Sequence, residues 1–263
     1  MARSYAILAG LNHEMRPLLR RFGRVTRIQR DNVRFSVGRR LGIEWVGAVS
    51  GVGEERAAGA AEIAVGAFHP SGVISAGFSG SLRKEIEVGG LVLADQVMTS
   101  DDGGRAVIRC DDRLLDAARG AALRSGSKVF VGPIVCARAV LVTAEAKRET
   151  GRKTGALAVD MESAGAGRVA SRAGVPFLAV RAVSDPEDAD FGFDPANWIA
   201  PDGSLRVLHG IGSVCRDPKS ISGLIRMGAS SRRAARALAM FLAQFIQILG
   251  EENARDRDNA VPA

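Results

Sequence analysis

The stretch Leu157–Asp185, LAVDMESAGAGRVASRAGVPFLAVRAVSD, decides the fold. Leu157–Val159 reads as a strand, Glu162–Ala173 as a helix ending at a Gly breaker, and Phe177–Val183 as a second strand. Both strands are continuous apolar runs rather than alternating ones, which implies burial on both faces. Outward from this unit, Tyr5–Gly10, Ile43–Val49, Gly72–Ala76, Leu91–Val97 and Val129–Val135 read as strands of the same kind. Glu54–Phe68, Asp112–Ser125 and Ala144–Gly151 read as the helices between them. Alternating strands and helices predict an α/β fold, with three α/β/α layers around a central mixed sheet. A chain of 263 residues, 46% of them hydrophobic, supports one large core. One domain is therefore expected over residues 1–250, with 186–249 as an added lid and basic helical extension. The polar segment 251–263 is expected to be a disordered tail.

The same stretch carries the chemistry. Its first strand delivers two acids, Asp160 and Glu162, to a helix start, and its second delivers Arg181, Ser184 and Asp185 at its end. Ligands of open α/β sheets gather at the carboxyl ends of strands, so the two sets are expected to converge on one pocket. Each residue also has a plainer role: Asp160 as a helix cap, Glu162 at a positive helix end, Asp185 opening a turn before Pro186. Glycines crowd two further strand exits, Ser50-Gly51-Val52-Gly53 and Ala76-Gly77-Phe78-Ser79-Gly80, where they permit positive φ and let a ligand approach the backbone. Neither cluster is a dinucleotide fingerprint, since Arg56 stands where a further Gly is required. Gly77-Phe78-Ser79-Gly80-Ser81 lacks the closing Gly of a nucleophile elbow, which disfavours a serine hydrolase. The only histidines are His13, His69 and His209, and none forms an HExxH pair, so no metal site is expected.

Composition narrows the classes further. Cys110, Cys136 and Cys215 are widely spaced without a CxxC pair and read as buried thiols of a reducing compartment. The apolar opening Tyr5–Leu11 is too short for a secretory signal and reads as a strand of a cytoplasmic protein. No apolar run approaches the roughly 20 residues of a bilayer span. The net charge of +7 suits acidic partners, and between Leu205 and Gly250 seven basic residues face Asp217 alone. Without interleaved aromatics or a nucleic-acid motif, no nucleic-acid role is expected. The helix-like run with Ala235, Leu238, Phe241, Leu242, Phe245, Ile248 and Leu249 on one face reads as core, with an interfacial membrane segment as the alternative.

Met161-Glu162 at a helix start, together with Val175-Pro176-Phe177, Arg181 and Ser184-Asp185 on the strand after it, resembles the purine nucleoside phosphorylase and nucleosidase superfamily. Its methylthioadenosine/S-adenosylhomocysteine nucleosidase branch is the nearer match. The two glycine clusters and Val88–Asp95 agree with this, so the resemblance spans roughly residues 5–190. It implies a nucleoside phosphorylase-like fold and cleavage of an adenine nucleoside's N-glycosidic bond, in a homo-oligomer without cofactor. Asp185 would protonate purine N7, positioned by Ser184, and Glu14 would activate water. Glu162 would accept hydrogen bonds from the ribose, against which Met161 packs. Gly77, Phe78, Ser79 and Asp160 would complete the substrate pocket, and Arg181 would order it by pairing with an acid. Val140 and Leu141 stand near the family's purine-stacking aromatic, and Ser50, Gly51 and Arg56 would hold phosphate or water. Ser75 and Phe78 stand where hexameric phosphorylases place Arg and Ser, which favours water over inorganic phosphate as co-substrate. The wording Ala179–Pro186, the aromatic insertion with Phe191, Phe193 and Trp198, and the basic extension are similar to the hopanoid-associated nucleosidase/phosphorylase subfamily. That similarity implies adenosylhopane as a lipid-tailed substrate, and peripheral contact with the inner face of the membrane.

Overall fold

The computed structural model describes residues 3–99, 107–190 and 218–258. Ten strands join one mixed sheet: β1 (Ser4–Ala9), β2 (Thr26–Arg30), β3 (Val33–Arg40), β4 (Ile43–Val49), β5 (Gly72–Ser81), β6 (Leu91–Thr99), β7 (Val107–Arg109), β8 (Val129–Cys136), β9 (Ala158–Asp160) and β10 (Phe177–Asp185). Helices α1 (Asn12–Phe22), α2 (Glu54–Phe68), α3 (Asp112–Ser125), α4 (Ala144–Thr154), α5 (Ser163–Arg172) and α6 (Pro218–Asp258) connect and follow them. The expected α/β fold with a central mixed sheet is present, and its sheet partly closes on itself. β5 pairs β10, and the pairing passes through β6, β8 and β9 back to β5, while β1, β4, β3 and β2 extend from the other edge of β5. β5 is therefore the junction strand.

The apolar runs form β1, β4, β5, β6, β8 and β10, buried along most of their length. α1, α3 and α6 pack together in one helical group, and α2 packs on α5 in another. Local caps fix the helix starts: Asp111 accepts from Leu114 N at 2.9 Å, and Thr143 from Ala146 N at 3.2 Å. Gly165 lets α5 lie directly on α2, because a Cβ there would collide with the Glu54 carbonyl oxygen.

Three expectations are corrected. The hairpin β2–β3 and short β7 were not anticipated: β2 is almost wholly exposed, and its polar, Arg-rich sequence has no apolar run to mark it. The second glycine cluster is not a turn but lies inside β5, which runs on to Ser81. Residues 251–258 are not a loose tail: α6 continues to Asp258, tied by Arg124–Glu251 at 2.9 Å, Arg113–Asp256 at 2.8 Å and Arg3–Asp256 at 2.9 Å. The apolar stripe of α6 is core, with Leu238, Phe241, Leu242, Phe245 and Leu249 all at most 2% exposed. No helix among the described residues is long and apolar enough to cross a membrane. The aromatic insertion with Phe191, Phe193 and Trp198, and Cys215, lie outside the described residues.

The chain's strongest charge feature sits on α1 and the β2–β3 hairpin. Residues 16–40 hold nine arginines against Asp31 alone, leaving 27 basic and 28 acidic residues elsewhere. All nine arginines are exposed.

Replacing Gly165 with Ala tests the contact between α2 and α5. Overpacking should lower the unfolding free energy by about 1–3 kcal/mol, although alanine is the better helix former. Urea denaturation measures the difference.

Candidate active site

The core of the site is a buried arginine. Arg181, 1% exposed, stands on β10 opposite Gly77 of β5. Its Nε donates to Asp160 Oδ2 at 2.6 Å, and its Nη2 pairs with the same oxygen. Nη1 donates to the carbonyls of Ser75 at 2.7 Å and Val180 at 2.8 Å, and Nη2 to Ser75 Oγ at 2.8 Å. Asp160 also accepts from Ser163 N at 3.1 Å and Ser163 Oγ at 2.7 Å, which anchors the start of α5. Both of its oxygens therefore already accept from protein donors, Oδ1 from Ser163 and Oδ2 from Ser163 and Arg181. The acid that Arg181 pairs with is Asp160.

Two further carboxylates share this field. Glu14, at the third position of α1, is 5% exposed. Its Oε2 accepts from Leu11 N at 2.7 Å, closing the first turn of α1 as in a capping box, and its Oε1 accepts from Phe78 N at 2.7 Å. Glu162 accepts from Gly53 N at 3.0 Å through Oε1 and from Met161 N at 3.4 Å through Oε2. Small residues make room for both: a Cβ on Gly77 would lie 2.9 Å from Glu14 Oε1, and one on Gly10 would lie 3.2 Å from Glu162 Cδ. Burial pushes Glu14 up to about 6, against hydrogen bonds from Phe78 and Leu11 and the charge of Arg181. Burial, then the charges of Asp160 and Glu14, push Glu162 up to about 8. One buried cation therefore serves three carboxylates, and the cluster favours holding a proton near neutrality.

Asp185 ends the same β10 strand, opposite Gly80, where a Cβ would lie 2.8 Å from its Oδ2. Ser184 Oγ lies 3.0 Å from Asp185 Oδ1 and 3.3 Å from the Ser79 carbonyl. Burial raises the Asp185 carboxyl, opposed by Lys147 and by the Ser184 hydrogen bond. Lys147 Nζ stands 2.7 Å from Asp185 Oδ2 and is 0% exposed. This lysine was missed in the sequence, where AEAKRETGRKT reads as a solvated charged helix. The spacing of Ala144, Lys147 and Gly151 was the available signal, because it sets all three on the buried face of α4.

β5 joins the two groups: Phe78 N binds Glu14, while Ser79 and Gly80 flank Asp185. Ser79 Oγ is buried and has no hydrogen-bond partner among the described residues. Met161 lies half-buried beside Glu162. Val140 and Leu141 are also half-buried, Leu141 against the small cluster that includes Val159. Ser50 and Arg56 do not turn to the carboxylates: Ser50 Oγ donates to Ala9 or Gly51 carbonyls, and exposed Arg56 to the Val52 carbonyl. The positive φ of 85° at Gly51 and 105° at Gly53 shows why glycine is needed at that turn. Among the described residues no group of His, Cys, Asp or Glu is arranged to hold a metal ion.

Around β5 and the strands β9 and β10 that flank it, the mixed sheet gathers an arginine-neutralised acid cluster and a separate buried aspartate. Residues 4–202 match the profile of the Phosphorylase superfamily, and the chain belongs to that family. It is 29% identical over 208 residues to the 5'-methylthioadenosine/S-adenosylhomocysteine nucleosidase of Geobacillus thermodenitrificans, covering 72% of this chain and 87% of that one. It is 27% identical over 205 residues to the aminodeoxyfutalosine nucleosidase of Campylobacter jejuni, covering 72% and 89%. In fold it is similar to the Helicobacter pylori 5'-methylthioadenosine/S-adenosylhomocysteine nucleosidase solved with butyl-thio-DADMe-Immucillin-A, at a TM-score of 0.75 and 20% identity over 94% of this chain and 99% of that one.

The raised acids make stability pH-dependent. A carboxyl that binds its proton more tightly folded than unfolded contributes stability that is full below its ordinary value of 4.5 and is lost as pH rises through the folded value. Unfolding free energy should therefore fall between about pH 4.5 and 8 through these two groups, and Glu162→Gln should flatten that fall. Urea midpoints across the pH series give the slope, and an unchanged slope in the variant would refute the assignment.

Proposed function

We propose that this chain cleaves the N-glycosidic bond of an adenine nucleoside, with Asp185 as general acid and Glu14 as general base. The observation that carries this is the separation of roles along β5: a carboxylate cluster around Arg181 at Phe78, and a second acid at Gly80. The nucleosidase names of the relatives support it. When the bond between C1′ and N9 breaks, its electron pair passes to the purine and N7 takes the proton of Asp185. Water adds to C1′ as Glu14 takes its proton. A base whose value lies near 6 is mostly ionised at neutrality, as this step requires. Glu162 meets the ribose hydroxyls, which supply donors in place of the proton it holds in the free site. Met161 and Phe78 flank the sugar, Gly77 and Ser79 line the base, and Val140 and Leu141 form its aliphatic wall.

The substrate we assign is adenosylhopane, converted to ribosylhopane, in a cytoplasmic homo-oligomer that touches the inner face of the membrane. The subfamily wording at Ala179–Pro186 supports the substrate, and the exposed arginines of α1 and the β2–β3 hairpin suit an anionic lipid surface. Water is favoured as acceptor because Ser75, where the phosphorylases place Arg, uses its hydroxyl oxygen to accept from Arg181. Phosphate as co-substrate would give the ribosylhopane phosphate. A second reading is favoured by the relatives' names: a methylthioadenosine/S-adenosylhomocysteine or futalosine nucleosidase.

Adenine release from adenosylhopane in detergent, with and without phosphate and beside methylthioadenosine, tests these assignments. We expect release from adenosylhopane, independent of phosphate, and a fall in kcat of about 10²–10⁴-fold in Asp185→Asn. Preference for methylthioadenosine would replace the lipid substrate. Nucleoside binding without release from either would make the chain a non-catalytic binding protein.

A further inference from the structure

Lys147 has no exposed surface, a condition an ammonium tolerates only when it is partnered by charge and by acceptors. Its Nζ stands 2.7 Å from Asp185 Oδ2 and donates to the carbonyls of Pro186 at 3.0 Å and Ala189 at 3.2 Å. These contacts suit the three donors of an ammonium. The start of α4 grips the same segment elsewhere: Ala144 N donates to Asp190 Oδ1 at 2.7 Å, and Arg148 pairs with Glu187 at 3.6 Å. One helix thus holds four of the five residues that follow the catalytic acid.

We propose that Lys147 is the positioning residue of the acid: it occupies Oδ2 of Asp185, so that the transferable proton sits on Oδ1, and it stabilises the carboxylate left when that proton passes to the purine. This rests on the assignment of Asp185 as general acid. Oδ1 is the oxygen beside Ser184. Ser184 Oγ stands 3.0 Å from Oδ1, to which it donates when Asp185 is ionised, and 3.3 Å from the Ser79 carbonyl, to which the same hydroxyl can turn when Oδ1 carries the proton. During transfer the Oδ1–H bond breaks and the N7–H bond forms. The negative charge then rests on a carboxylate 2.7 Å from the ammonium. Placing a fixed cation where charge develops favours that transition state without reorganisation at the moment of reaction.

Among the described residues, the groups that face Asp185 single out the lysine. β5 and β9 present Gly80 and Val159 to it, and its own strand presents the Ser184 hydroxyl. From the segment beyond, Glu187 is paired with Arg148, and Asp190 caps α4. Glu14, Asp160 and Glu162 surround Arg181 instead. Burial raises Asp185, and Lys147 is the largest influence that lowers it.

The test compares Lys147→Gln, Lys147→Arg and Asp185→Asn in steady-state kinetics across pH, with adenine release as readout and thermal melts to confirm folding. The glutamine keeps an amide donor for the Pro186 and Ala189 carbonyls but carries no charge. Lys147→Met, equally uncharged, replaces it if the glutamine variant does not fold. The neutral variant should lose at least about tenfold in kcat, with KM changing far less. Its alkaline limb, which reports loss of the protonated acid, should move up by about 1–3 pH units. The arginine variant should keep the limb in place. A neutral variant whose limb does not move overturns the proposal, whatever its kcat, because a residue that only packs would leave the profile alone. If Asp185→Asn turns over like the wild type, the assignment of the acid fails instead. Loss in Asp185→Asn with an unmoved limb in the lysine variant refutes the role of Lys147 alone.

Discussion

Burying the full charge of Arg181 is the constraint on which the site depends. A guanidinium removed from water is costly unless its donors are met and its charge is balanced. Here the donors run to Asp160, Ser75 and Val180, so the arginine joins β5, β9 and β10 at the place where the sheet closes. In return its field lets Glu14 and Glu162 sit close together in the interior. Without it, three carboxyls would face one another in a low-dielectric space, and protonation would be their only relief.

The second constraint is steric and belongs to β5. Alternate residues of a strand face opposite sides, yet the run from Gly77 to Gly80 meets Glu14, Ser184 and Asp185 within a few residues. That crowding works because Gly77 and Gly80 have no Cβ to obstruct Glu14 and Asp185. These glycines are needed for close approach rather than for a left-handed backbone. At Gly51 and Gly53 the reason is the positive φ itself. Identical residue types thus serve two physical purposes, within β5 and in the turn after β4.

The strands that build the core were legible because continuous apolar runs have few alternatives in a chain this long. The convergence of Asp160 with Arg181 was anticipated from shared carboxyl ends, but it has another cause: β9 runs antiparallel and β10 parallel to β5, so the acid meets the arginine across β5. Lys147 was obscured because a buried charge on a charged helix differs from its neighbours only in phase, and the phase is set by Ala144 and Gly151. The β2–β3 hairpin was obscured for the opposite reason: Phe35 is fully buried, but the arginines around it dominate the local composition. The glycine cluster in β5 was misread as a turn because composition alone does not separate conformational need from steric need. The helix beyond Gly250 escaped because its order comes from ion pairs to Arg3, Arg113 and Arg124, far away in sequence.

The claim that one buried ion pair organises the acid cluster is tested most directly by a double-mutant cycle on Asp160→Asn and Arg181→Met, read as unfolding free energies in urea at neutral pH. Each single change should cost about 3–5 kcal/mol, because it strands the other charge in the interior. The double variant should then be more stable than the sum of the two losses by at least about 1 kcal/mol. Losses that simply add would contradict the account, since they would mean that Arg181 and Asp160 are held by their surroundings and not by each other.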